Sequence, residues 1–253
     1  AAGLVLSSVL GQLVESAALI HSEWKSIIGL VRQYSTRKGL LEVFRTYFRF
    51  LRYSAPSSLL NVLSIQVPVL LLTRFFEKAS VGFYFQAHKV LSTPVTIVGN
   101  AVAQAFLHDI SSFQGQASAL AQRTRTTALR MLMLAILPSA LIMIFGEELF
   151  AFVFGEEWRV AGAYARYLMP WLLLVFIGSP LTMLLEVFHR QRLFMRFNFM
   201  LLALRVVAML AGKYYFDDAA VSIILYSLVS AAMWLILDIF VLLRVSRFTE
   251  NGF

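Results

Sequence analysis

Seven stretches of this chain are long and apolar enough to cross a bilayer as a helix, which takes roughly 20 residues, and no other feature limits its folds so strongly. They run Gly3–Ile20, Pro56–Phe76, Val81–Leu107, Thr127–Phe145, Val160–Phe188, Phe197–Ala211 and Ala219–Leu243. Backbone polar groups in hydrocarbon must bond within the segment, which at this length means an α-helix. With 59% hydrophobic and 14% charged residues and a mean hydropathy of +0.75, the chain reads as an all-α integral membrane protein of about seven transmembrane helices. It opens on Ala1 inside an apolar run, without Met or a charged leader region, and so reads as a piece whose beginning is elsewhere.

The only long connection is His21–Arg52, with Lys25, Arg32, Arg37, Lys38, Arg45, Arg49 and Arg52 against Glu23 and Glu42. Within it Leu40, Leu41, Phe44, Phe48 and Leu51 recur at helical spacing while the charges fall on another face, the pattern of an amphipathic helix lying on a membrane surface. If the seven spans alternate, this linker, Arg123/Arg125/Arg130, Arg190/Arg192/Arg196 and Arg244/Arg247 share one side. The other side has Arg74, Lys78, Arg159 and Lys213 among Glu77, Glu147, Glu148, Glu156, Glu157, Asp217 and Asp218. The positive-inside rule makes the basic side cytoplasmic, together with the C-terminus. The formal charge of +8 is thus explained by juxtamembrane surface facing anionic lipid, without nucleic acid. The absence of cysteine excludes disulfides, Cys-ligated metals and a Cys nucleophile. The four histidines have no metal-ligand spacing, and neither a phosphate loop nor a nucleophile elbow is present, so neither a metal, a cofactor nor catalysis is expected.

Polar residues inside the spans carry the functional information. Asn61, Gln66, Asn100 and Gln104 each suit a bridge between helices, and as a set on adjacent spans they suit a hydrated cavity. Lys89 follows Gln86 and His88 within one turn of its span, where it either snorkels or meets a substrate. Arg166 and Arg205 fall a turn or two inside their helices, where each faces the bundle interior or snorkels; anion binding is the functional alternative. Glu15, Glu186 and Asp238 fall near cytoplasmic span ends, within reach of water or loop arginines. Pro68, Pro94, Pro138, Pro170 and Pro180 each delete a backbone bond and permit a kink, as a protein that moves would use.

The order PSSLLNVLSIQVPVLLL (Pro56–Leu72), then VGFYFQAHKVLSTP (Val81–Pro94), then GNAVAQAF from Gly99, resembles the seventh and eighth helices of bacterial polysaccharide flippases. The most specific part is N-x-x-S-x-Q-x-P followed by VGxYxxAxKV. These proteins belong to the superfamily of multidrug, oligosaccharidyl-lipid and polysaccharide exporters. The resemblance implies that residues 1–20 are the last helix of an N-lobe, 21–52 the cytoplasmic linker, 53–247 a six-helix C-lobe and 248–253 a tail. The rest of the N-lobe is then expected in cis or from a partner chain.

The resemblance further implies alternating-access flipping of an undecaprenyl-diphosphate-linked oligosaccharide across the bacterial cytoplasmic (inner) membrane, for surface polysaccharide such as the O-antigen of lipopolysaccharide. Membrane lipid, the lipid-linked oligosaccharide and other glycan-assembly proteins are the implied partners. Lys89, Arg166 and Arg205 become anion partners, and Asn61, Gln66, Gln86, Asn100 and Gln104 sugar or water partners, with the five prolines and Gly82, Gly99 and Gly178 as hinges. Three alternatives stay open: a multidrug or toxin extruder of the same superfamily, a membrane enzyme acting on the same lipid carrier around Glu147/Glu148/Glu156/Glu157, and a scaffold for glycan-assembly enzymes.

Overall fold

A computed structural model describes residues 52–53, 55–111, 117–188 and 190–250, almost all within the second of the chain's two compact units, Tyr53–Phe253. The span Gly3–Ile20, with Glu15, and the amphipathic stretch of the linker lie outside the described residues.

The described residues form six long helices and no strand. They are α1 (Ala55–Phe75), α2 (Lys78–Ser111), α3 (Ala117–Phe154), α4 (Arg159–Val187), α5 (Gln191–Ala211) and α6 (Ala219–Glu250). All six are long and apolar enough to cross a membrane, as a multi-pass protein requires. Three ends differ from the sequence-based boundaries in ways that matter. α3 begins at Ala117 rather than Thr127 and ends at Phe154 rather than Phe145, because helix continues into polar turns that hydropathy does not mark. α5 begins at Gln191 rather than Phe197, which puts Arg205 about four turns from the helix start instead of about two. A one-turn 3-10 segment, Glu156–Trp158, joins α3 to α4, and a π turn, Gly212–Phe216, joins α5 to α6. The π turn closes on left-handed Asp217, and the Asp218 carboxylate then accepts from the Ala220 N–H at 2.6 Å, capping α6.

None of the five prolines ends its helix. The non-helical residue inside these helices is Phe145 (φ −114°, ψ 17°), beside Gly146 in α3, a break in addition to the prolines. Neighbouring groups absorb the missing bonds: Pro180 leaves the Phe176 carbonyl without its backbone donor, and Ser179 Oγ donates to that oxygen at 2.8 Å.

α4 is the hub, with α2, α3 and α6 packed along it; α5 packs mainly on α1 and α6. Its inner side chains, among them Leu168, Trp171, Leu172, Leu181, Leu184 and Leu185, are buried. At one end α3 and α4 meet backbone to backbone: a Cβ on Gly162 would overlap the Gly146 carbonyl and the Glu147 Cα. Outward side chains such as Leu70, Ile97, Met133, Leu137, Val207, Leu228 and Ile236 are exposed large hydrophobics, the surface expected where lipid replaces water. Alternation of the helices puts Arg74, Lys78, Glu147, Glu156, Arg159, Lys213 and Asp217 at one end of the unit. Arg123, Arg125, Arg190, Arg192, Arg196 and Arg244 stand at the other.

Candidate functional site

Midway along α5, Arg205 is only 1% exposed. Its Nε donates to Ser230 Oγ of α6 and its Nη1 to Ser64 Oγ of α1, both at 2.8 Å. Its guanidinium carbon lies 4.6 Å from the ring centre of Trp171 on α4 and 4.7 Å from that of Tyr226 on α6. Trp171 and Tyr226 meet edge to face at 5.3 Å, and Tyr226 is also next to the Tyr84 phenol of α2. His88 of α2 stacks on Trp171 and on Tyr84, each at 5.8 Å, and is the half-buried outer member of the group. Five of the six helices therefore converge on one cation.

Local chemistry explains how the cation survives there. An arginine at the centre of a membrane helix costs about 2.5–3.5 kcal/mol on insertion scales. Two desolvated cation–π faces contribute about 2 kcal/mol each, and each hydrogen bond to a charged group about 1.5–3 kcal/mol. The cage can thus hold the charge without an acid, and no carboxylate pairs with Arg205 among the described residues. Ser230 Oγ passes its own proton to the Tyr226 carbonyl at 2.6 Å, which leaves its lone pairs for Arg205. Pro68 withholds a backbone donor from the Ser64 carbonyl on the same turn as the second hydroxyl. Arg205 Nη2 is buried with no hydrogen-bond partner among the described residues, as is Trp171 Nε1. The arrangement is a fixed positive centre with a donor to spare, suited to an oxyanion and unsuited to proton relay, because guanidinium does not titrate.

A second buried ionisable group lies on α6. Ser222, Tyr226, Ser230, Trp234 and Asp238 recur every fourth residue and are all buried, forming a polar and aromatic stripe along one side of the helix. Asp238 is 4% exposed, and neither carboxylate oxygen has a hydrogen-bond partner among the described residues. It packs against Trp234 and against Gly178 of α4, where a Cβ would overlap Oδ1. This corrects the expectation of a water-reaching helix end: α6 continues to Glu250, so Asp238 is enclosed by its neighbours.

The other expected site residues are not brought to this centre. Lys89, Gln66, Asn100 and Gln104 are exposed, and Asn61 and Gln86 half-buried. The Lys89 ammonium lies 6.0 Å from the Phe85 ring. Arg166 is engaged locally: Nη1 pairs with Glu147 at 2.5 Å and Nε donates to the Met143 carbonyl at 3.0 Å, clamping α4 to α3 beside the Phe145 break. The side chain of Glu186 lies outside the described residues. Sequence reasoning held Ser64 and Tyr84 only as motif positions without a role, and missed Trp171, Tyr226 and Ser230. The fourfold spacing on α6 was the one readable signal for the last two. It also missed Asn198, whose Nδ2 donates to Ser57 Oγ at 2.8 Å and ties α5 to α1.

Among known families, the model of the polysaccharide biosynthesis protein family matches residues 3–162. The match takes in well over half of the chain, which belongs to that family and so has a role in polysaccharide biosynthesis. No curated protein and no solved structure matches the chain. Ser64, Tyr84 and His88 fall inside the matched residues, and Trp171, Arg205, Tyr226 and Ser230 beyond them.

Proposed function

We propose that this member of the polysaccharide biosynthesis protein family flips an undecaprenyl-diphosphate-linked oligosaccharide across the cytoplasmic membrane by alternating access, with Arg205 as the cation its diphosphate meets. The observation that carries this reading is the buried guanidinium without an acidic partner and with Nη2 unbonded. Such a centre attracts a phosphate and is held ready by two aromatic faces rather than by a carboxylate that the substrate must displace. His88, the half-exposed member of the stack, marks the side from which the headgroup enters when α2 moves. The exposed Lys89, Asn100 and Gln104 along α2 would then face the glycan across from a second lobe, supplied in cis or by a partner chain. The clustering of arginines at one end of the unit supports placing that end, with the C-terminus, in the cytoplasm.

The test is glycan export by the intact transporter carrying Arg205→Lys or Arg205→Met, at matched membrane abundance. Arg205→Met abolishes export. Arg205→Lys lowers it by about tenfold or more, the effect of losing one charged hydrogen bond of about 1.5 kcal/mol. Export at the parent level with normal abundance removes Arg205 from the transport site.

Asp238 supports a second reading, a cation-coupled multidrug or toxin extruder, because an enclosed carboxylate without partners is suited to exchange a proton or metal cation. Drug efflux restored in an efflux-deficient host, and lost in Asp238→Asn, would favour it over glycan flipping.

A further inference from the structure

We propose that the cleft between α2 and α3 is a binding site for an anionic phospholipid of the bilayer, with the phosphate at Arg123 and Arg130 and one hydrocarbon chain in the trough beyond. α2 and α3 each pack along α4 but barely touch one another, so α4 forms the floor of an open groove. Its apolar part is a cavity of about 450 Å³, walled by Val98, Leu134, Ala135 and Pro138 over a floor of Leu173 and Phe176. A second cavity of about 220 Å³ continues it toward the basic end of the unit, where Arg123, Thr127 and Arg130 line the wall. Leu134 lines both, so the two cavities adjoin along the same face of α3, with cations at one end only.

The geometry selects the occupant. From Arg130 to Ile142, at the far end of the apolar part, the groove runs roughly 18 Å along α3 at 1.5 Å per residue, and one leaflet of a roughly 30 Å hydrocarbon core is about as deep. A cavity of this size admits a chain and not a helix of about 10 Å diameter. The basic end calls for a phosphate, and basic pockets between membrane helices bind anionic headgroups. The site uses no residue of the Arg205 cage and is independent of what the protein transports.

Because the chain has no cysteine, Leu134→Cys gives a unique attachment point for a bimane fluorophore in the full chain. In phosphatidylcholine vesicles, brominated phosphatidylglycerol should quench it at a lower mole fraction than brominated phosphatidylcholine, by about fivefold per arginine. Arg130→Gln removes part of that preference, Arg123→Gln with Arg130→Gln removes it, and Arg130→Lys keeps it. A bimane at Leu228→Cys, exposed on α6, shows no preference. Equal quenching by the two lipids, a preference surviving in the double variant, or the same preference at Leu228→Cys overturns the proposal. So does a lack of quenching by either lipid, which would mean that protein fills the cleft.

Discussion

A guanidinium and a carboxylate are buried in the same helical unit without pairing, and they make opposite demands on their surroundings. Arg205 is held by rings and hydroxyls, so removing a ring costs stability: Trp171→Leu should lower the free energy of unfolding in detergent by about 2 kcal/mol or more from the lost cation–π face alone, whereas Trp171→Phe loses less. Asp238 lacks such support, so Asp238→Asn, which relieves burial of a charge, should raise the midpoint of thermal unfolding. A lower midpoint would mean that the carboxylate has a partner in the folded protein. Arg205 was visible in the sequence because arginine inside an apolar run is rare and stands out. Its partners were not, because Trp171 and Tyr226 are ordinary members of apolar helices, and Ser64 and Tyr84 members of a motif without an assigned role, until folding brings five helices together. Asp238 was visible and misjudged, since hydropathy ends the span near it while the helix does not end.

At the scale of helices, the joint between α3 and α4 combines a tight part and a loose part. Gly162 rests on the backbone of α3, where a methyl group has nowhere to go, so Gly162→Ala should destabilise by about 1–3 kcal/mol. The Arg166–Glu147 pair beside it has both side chains about a third or more exposed, so Glu147→Gln should cost less than about 1 kcal/mol. Thermal or denaturant unfolding of the two variants side by side checks the order; a larger loss from Glu147→Gln would make the ion pair, rather than the backbone contact, the anchor. Length and apolarity made the six described helices legible, and the prolines within them were legible too. How the carbonyl freed by a proline is satisfied was not, because the replacement donor comes from folding or from a neighbouring hydroxyl. Ser179 answers for the carbonyl opposite Pro180, and a break without a proline falls at Phe145.

For the whole molecule, the sorting of charge to opposite ends sets a topology that labelling can test. Tyr215→Cys and Arg196→Cys stand at opposite ends on exposed side chains. In intact cells a membrane-impermeant maleimide should label the first and spare the second. Labelling of both at equal rates, or of Arg196→Cys alone, reverses or dissolves the assigned orientation. The sequence carried this sorting well because loop charges need no tertiary contact to be read. The α2/α3 cleft was illegible for the converse reason: it exists only because two helices adjacent in sequence pack on a third instead of on each other.

The weak contact between α4 and α5 has a consequence for watching the molecule at work. Arg205 rides on α5, while the indole beneath it belongs to α4, so the pair spans a seam that few other side chains cross. Indole emission shifts with the charge above its face. A slide of α5 past α4 would therefore be written into the colour of Trp171, giving a variant that keeps it as the sole tryptophan an optical gauge of interior motion.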